Sequence, residues 1–348
     1  MKLKSLMLVC VASLSFILTA CNKSAEQITL QGKTMGTTYT VKYIDDGKIA
    51  NLPTAEQVKK QLDDVLKVVN DEMSTYQLDS QISRFNKLRE VNTPFEISPD
   101  FATVVAEAIR LNKITEGALD VTVGPLVNLW GFGPDRRLDK QPSAAQINQR
   151  AAFVGIDKLA LNIEHKPTLT KSVPNLYLDL SSIAKGFGVD KIADQLEMLG
   201  LENYLVEVGG ELRGKGKNLQ GLNWQIAIEK PNFEQGQTVQ ITVPLHNLGM
   251  ATSGNYRNYF EDEQGNRLSH IIDPKALKPV NHKLASITVL APTSMTADGL
   301  STGLFVLGAE KALEVAEREK LAIFLIIKNG DGFETQMSSQ FKKLIDQK

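Results

Sequence analysis

Thr293-Ser-Met-Thr-Ala-Asp-Gly-Leu-Ser-Thr-Gly303 is the stretch on which the reading of this chain turns. It reads as the start of a helix, near Thr296, that carries Asp298, Ser301 and Thr302 at spacings of three and four. Those spacings put a carboxylate and two hydroxyls on one face. One acidic oxygen beside neutral oxygens suits a hard cation such as Mg²⁺, with a phosphate supplying further ligands. Asp and Ser/Thr near a helix start are also the usual caps. Taken alone, the segment supports either reading.

Outward from that helix, strands and helices are mixed. Downstream, 321–328 and 332–337 predict a hairpin. Upstream, several short strands are expected between 203 and 290, with turns at Gly209-Gly210, Gly214-Lys-Gly216, Gly236 and Gly265-Asn266. A helix is expected from Ile183 to Leu199, stopped by Gly200. Short strands are expected near 152–163 and 175–180, after a loop over 131–142. Ser98-Pro99 opens a helix that buries Val104, Val105, Ala108 and Leu111 and ends near Gly117. Pro53-Thr54-Ala-Glu-Gln57 opens another with a capping box, continued by Val58, Leu62, Val65, Leu66, Val69 and Met73. Thr34 to Tyr43 alternates as a strand. Strict βαβ alternation is absent, which predicts an α+β fold.

The chain has 348 residues and a formal net charge of −1. That length buries a large core, and no basic block marks a nucleic-acid footprint. Residues 1–20 read as a signal peptide: a basic start, an apolar run from Leu6 to Leu18, then Leu18-Thr-Ala-Cys21 in the form of a lipobox. Cys21 would be lipidated, with 21–30 as a polar tether and 31–340 as the folded domain. Such an anchor holds a protein on a membrane without spanning it. Cys10 would leave with the signal, so the mature domain has no free thiol, disulfide or thiolate metal site.

Gly186-Phe-Gly188, Gly131-Phe-Gly133 and Gly214-Lys-Gly-Lys217 lack the frames of nucleotide loops and read as turns. Among the four histidines, His165 and His282 sit in polar, surface-like contexts and His246 in a turn. His270 lies in Leu268-Ser-His-Ile-Ile-Asp-Pro274, a short strand that would point it to the same face as Ile272. An imidazole there is either structural or a base near neutral pH. Asp179-Leu-Ser-Ser-Ile-Ala-Lys-Gly186 combines a strand end, a hydroxyl-rich turn and a helix N-terminus. It reads either as a serine-capped helix or as an anion site.

Taken together, Thr34-Met-Gly-Thr-Thr-Tyr39, Met73-Ser-Thr-Tyr76, Asp179 to Gly186, and Ser269 to Pro274 followed by Thr296 to Thr302 resemble the ApbE family of flavin transferases. Gly117 to Pro125 and Val206 to Leu212 add to the likeness, which spans about residues 31 to 340. The resemblance implies a T-fold-like α+β domain of two packed subdomains with the flavin between them. It also implies a Mg²⁺-dependent (or Mn²⁺-dependent) FAD:protein FMN transferase. Such an enzyme cleaves FAD, releases AMP and leaves FMN in a phosphoester with a Thr or Ser of an Nqr- or Rnf-type acceptor. By motif, Met35, Tyr76, Ala118, Leu119, Asp120, Asp179, Lys185 and Ile272 would contact FAD, with Met35, Tyr76 and Leu119 lending apolar surface. Ser182 (by its carbonyl), Asp298 and Thr302 would bind the metal, and His270 would be the catalytic histidine. The site would face the periplasm from either membrane. A FAD pyrophosphatase and a non-catalytic flavin-binding lipoprotein are the competing readings.

Overall fold

The computed structural model describes residues 24–134, 141–230, 239–255, 259–261 and 267–346. Cys21 and the signal segment lie outside the described residues, as do the turns expected at Gly236 and Gly265-Asn266. Among the described residues, no helix is long and apolar enough to cross a membrane.

The chain opens with β1 (Glu26–Thr34) and β2 (Thr37–Asp45), paired antiparallel. Strand pairing therefore starts at Glu26, five residues earlier than the expected tether allowed. The signal was Ile28 and Leu30 alternating within a polar run. The connecting turn is Met35-Gly36, with φ of 49° and 71°. Two left-handed residues in a two-residue hairpin loop match the twist of the strands, and a methionine there is conformationally costly.

Helix α1 (Ala55–Met73) starts on the Thr54/Gln57 capping box and buries Val58, Leu62, Leu66, Val69 and Met73. After it come α2 (Gln81–Lys87), β3 (Phe95–Glu96), α3 (Pro99–Ile114), α4 (Gly124–Leu129) and α5 (Ala144–Ala151). Helix α5 fully buries no residue, sets only Ile147 partly against a small core cluster and escaped the sequence reading; its Ser143/Gln146 capping box marks its start. A short 3₁₀ turn leads into β4 (Leu159–Asn162), and β5 (Thr168–Lys171) follows. The strand expected at 175–180 is not one. That segment joins no ladder and is held by Asn86, whose side chain donates to the Leu178 carbonyl (2.9 Å) and accepts from its amide (2.8 Å).

Helix α6 (Ala184–Met198) precedes β6 (Tyr204–Val208), β7 (Glu211–Lys215), β8 (Trp224–Glu229), β9 (Val239–Leu245) and β10 (Leu248–Gly254). Gly214 lies inside β7, so the turn expected there falls at Gly216. Four short strands follow: β11 (Tyr259–Glu261), β12 (Arg267–Ser269), β13 (Ile272–Asp273) and β14 (Lys278–Pro279). The chain ends with β15 (Leu284–Ala291), α7 (Ser294–Leu307), α8 (Ala309–Glu319), β16 (Ala322–Asn329), β17 (Gly332–Met337) and α9 (Ser339–Asp346). The final hairpin is as expected; α8 and α9 are additional.

One eight-stranded sheet, in the order β1-β2-β6-β7-β10-β15-β16-β17, organises the α+β fold, and each neighbouring pair is antiparallel. Both faces of its centre are covered. Ile323, Leu325 and Ile327 of β16 join the core around α7, while Ala322, Phe324 and Ile326 pack with Trp224, Ile228 and Phe341. A residue period of two thus feeds two cores. A smaller three-stranded sheet, β3-β5-β4, packs with α2 and α3. Its Leu159 and Leu169, with Ile97 just after β3, belong to the same continuous core as Phe305 and Leu325. The two packed units share that core, and a cavity opens between them.

Candidate active site

Helix α7 is buried nearly all round, and its capping shows what Asp298 is not doing. Thr293 is the N-cap, accepting from the Thr296 amide at 3.1 Å. Asp190 of α6 caps the same terminus from outside, accepting from the amides of Ser294 (3.0 Å) and Met295 (2.8 Å). Arg213 pairs with that carboxylate at 3.0 Å. Burial pushes the Asp190 carboxyl up, against the pull of the two amides and Arg213. With the terminus satisfied, Asp298 in the second turn has no capping role on its own helix.

Asp298 is 3% exposed. Its Oδ2 accepts from the Gly186 amide of α6 at 2.9 Å, and its Oδ1 lies 3.9 Å from the Lys185 ammonium. Lys185 also pairs directly with Glu211 at the start of β7. Burial raises the pKa of both carboxyls, and each is drawn back by Lys185; the neighbouring Asp298 charge raises Glu211 further. Burial works against the Lys185 ammonium, but the two carboxylates hold its pKa above the ordinary value. Two carboxylates face one ammonium, and Glu211 Oε2 is buried without a partner. Two carboxyls around one ammonium, one of them with an unsatisfied oxygen, give a wall that fits a cation.

Hydroxyls continue that wall. Ser253 of β10 meets Ser301 Oγ at 2.8 Å and Thr302 Oγ1 at 3.3 Å. Ser301 donates to the Asp298 carbonyl, so of the two hydroxyls on the helix face it is the one held within the helix. Among the described residues, no group of three His, Cys, Asp or Glu side chains could hold a metal by itself. A divalent ion beside Asp298 and Thr302 would need further oxygens, which is how Mg²⁺ is held with phosphates.

The cavity has a volume of about 1040 Å³, room for a dinucleotide. Two hairpin tips, Met35-Gly36 and Gly209-Gly210, reach it from one end of the large sheet, joined by Thr252 to Gly254 of β10. Met35, Tyr76, Ala118, Leu119, Asp120, Asp179, Ser182, Lys185, His270, Ile272, Asp298 and Thr302 all line it. Sequence reasoning therefore gathered one site from segments that span most of the chain.

Several details differ from expectation. His270 is not in a strand: β12 ends at Ser269 and β13 begins at Ile272, so the alternation argument for its direction does not apply, although it does reach the cavity. Leu119 is 2% exposed and fills the space beside Gly299 and Gly303 of α7, so its side chain serves the core more than the cavity. The α6 N-terminus offers fewer free amides than an anion cradle needs. Those of Ile183 and Ala184 bond to the Leu180 carbonyl, and that of Gly186 to Asp298. Lys185 faces carboxylates rather than standing alone for phosphate. His282, expected at the surface, is half-buried with Nε2 2.7 Å from the Phe305 carbonyl.

Asp120 and Asp179 hold their own turns: Asp120 accepts from the Thr122 amide and hydroxyl (2.8 and 2.6 Å), and Asp179 from the Ser181 amide (2.9 Å). Burial raises the Asp120 pKa against those bonds. Tyr76 is 71% exposed at the cavity wall, an uncommon place for a tyrosine. The sequence reading missed the roles of Asp190, Glu211, Asn86 and Ser253. Only Glu211 carried a local signal, following the Gly209-Gly210 turn.

A family model described as the ApbE family matches residues 35–325. The FAD:protein FMN transferase of Haemophilus influenzae is 60% identical over 337 residues, covering 97% of this chain and 96% of that protein. Its counterpart in Vibrio cholerae is 51% identical over 338 residues, covering 97% and 98%. The solved structure of the flavin transferase ApbE from Vibrio cholerae superposes with a TM-score of 0.84 at 49% identity, over 92% of this chain and 99% of that one. The apo form of the Pseudomonas stutzeri flavinyl transferase ApbE gives 0.81 at 39% identity, over 92% and 97%.

Proposed function

The chain belongs to the ApbE family, and from that premise we propose that its cavity holds FAD beside a Mg²⁺ ion and delivers the FMN half to an acceptor hydroxyl. It is an enzyme that moves FMN from FAD onto protein. The finer reading rests on one observation: Ser182, His270 and the Asp298/Thr302 pair, from three distant segments, open onto one cavity.

Asp298, Thr302 and the Ser182 carbonyl would hold the ion. Mn²⁺ would suit the same oxygens. When bound, the ion polarises the phosphoryl group and offsets charge on the leaving phosphate. Lys185 and Gly186 fix the Asp298 carboxylate. Met35, Tyr76, Ala118, Asp120, Asp179 and Ile272 flank FAD. His270 takes the proton of the acceptor hydroxyl as its oxygen bonds to the FMN phosphorus. The pyrophosphate P–O bond breaks and AMP leaves with the electron pair. The acceptor is a Thr or Ser of a periplasm-facing Nqr- or Rnf-type subunit. Cys21 carries a lipid that holds the enzyme on the periplasmic face of a membrane, which loss of labelled palmitate in Cys21→Ser checks.

The test is incubation of the protein with FAD, Mg²⁺ and an Nqr-type acceptor domain, followed by intact mass. Acceptor heavier by FMN is expected. Free FMN at an undiminished rate, with no covalent flavin, would mean a pyrophosphatase. Slow turnover with every ion would mean a flavin-binding protein. His270→Ala is expected to lower transfer about 10²–10⁴-fold with FAD still bound. Lost FAD affinity with normal turnover refutes the base assignment.

A further inference from the structure

Among the described residues, one edge of β8 has no strand partner beyond the isolated Lys217↔Asn223 bridge just before it, and that edge runs along the cavity. Its other edge pairs with β9, from Trp224↔Leu245 onward, and the two strands form a sheet of their own. Gln225 stands opposite Pro244. A proline has no N–H, so it fits a ladder where its nitrogen turns away from the neighbouring strand. Hydrogen-bonded and non-bonded pairs alternate along an antiparallel ladder. Trp224, Ile226 and Ile228 therefore direct their backbone groups to β9, while Gln225 and Ala227 direct theirs to the opposite edge. Among the described residues, no backbone hydrogen bond meets Gln225 or Ala227 there.

The side chains agree with this layout. Trp224 and Ile228 are buried against the large sheet, while Gln225 and Ala227 are exposed. Ile226, Ala227 and Ile228 line the cavity consecutively. Successive strand residues point to opposite faces, so three in a row meet one cavity where the cavity follows the strand's edge.

We propose that this edge receives an extended segment of the acceptor protein as an added strand, which delivers the acceptor hydroxyl to the phosphoryl group. The inference rests on the transferase reading and deepens it. The N–H and C=O groups of Gln225 and Ala227 bind backbone whatever the acceptor's sequence, and alternate acceptor side chains turn into the cavity. An acceptor segment is favoured over a second copy of this chain because the edge shares its cavity with His270 and Thr302, where the acceptor hydroxyl has to arrive.

Ala227→Pro tests it. The substitution removes an edge donor and sets a ring at the edge, a position that strands tolerate without loss of the inner ladder. Ala227→Thr keeps the donor. With an Nqr-type acceptor domain, saturating FAD and Mg²⁺, Ala227→Pro is expected to raise KM for the acceptor by about tenfold or more. FAD affinity stays at the parent value, and Ala227→Thr stays within about twofold. Hydrogen exchange at the Gln225 and Ala227 amides of the parent slows when acceptor is added. Unprotected amides, or an Ala227→Pro variant that transfers like the parent, overturn the inference and leave the transferase reading standing. If Ala227→Pro loses FAD affinity, amide protection in the parent decides. A parent that forms no covalent flavin removes both.

Discussion

Gly186→Ala would strike the contact on which the metal-side geometry depends. A Cβ at Gly186 would stand 2.3 Å from the Ser294 carbonyl oxygen and 2.8 Å from Asp298 Cβ. Carbon does not approach backbone oxygen closer than about 3.0 Å, so α6 and α7 must part by roughly 0.7 Å or more. The obstacle is backbone, and no companion side-chain deletion relieves it. Overpacking of this kind costs about 1–3 kcal/mol. Weakening the buried Gly186 N–H to Asp298 bond costs about 1–3 kcal/mol more. The better helix propensity of alanine returns about 1 kcal/mol, leaving a loss of about 1–5 kcal/mol. Urea unfolding with unchanged slope measures it. Activity of the folded protein is expected to suffer as well, because Asp298 moves with its helix and a displacement near 1 Å costs about 10²-fold in rate. FMN transfer per folded molecule measures that. A variant with parental unfolding free energy and parental rate would refute the account of why a glycine occupies this position.

Two further outcomes follow from the buried charges. Asp298→Asn keeps an acceptor for the Gly186 amide but removes a charge whose burial is unfavourable. Unfolding free energy is expected to stay within about 1 kcal/mol of the parent or rise, while ion-dependent transfer is lost. A large destabilisation by urea titration would contradict this. Lys171 is 1% exposed, bonded to the Phe85 carbonyl at 3.0 Å, and burial lowers its pKa from 10.5 to about 8. Below pH 8 the folded state carries a buried ammonium at a cost. As pH rises from about 8 to 10.5 the unfolded chain holds the extra proton, so this cost is relieved. Relative to Lys171→Met, the parent is expected to gain up to roughly 3 kcal/mol across that window. Parallel guanidinium stability curves for the two proteins from pH 7 to 10.5 would exclude it.

The ends of the long helices were legible because capping is local chemistry: Thr54 with Gln57, Ser98 with Pro99, and Gly200 after α6 all act within a few residues. The residues expected at a site came from a resemblance spread over distant segments, and they line one cavity. Spacing alone could not show that Asp298 leaves its own helix terminus uncapped, because that terminus is taken by Asp190, more than a hundred residues upstream. The segment at 175–180 looked like a strand because its apolar alternation is genuine. Its backbone partners are an asparagine side chain and the Val121 carbonyl, which no local pattern encodes. His270 shows the converse: its place in the cavity survives although the strand used to argue for it is interrupted.

Under the proposed lipid anchor, the early start of β1 would set a working height. From Cys21 to Glu26 the chain can reach at most ~18 Å. From Glu26 to Thr34 the strand rises a further ~27 Å. If Cys21 is held in the bilayer, the Met35 tip of the cavity is confined within about 45 Å of the membrane surface. The enzyme then patrols a thin shell rather than the depth of the compartment, and only hydroxyls displayed within that shell can be reached. Lengthening the leash between Cys21 and Glu26 would widen the shell without touching the chemistry.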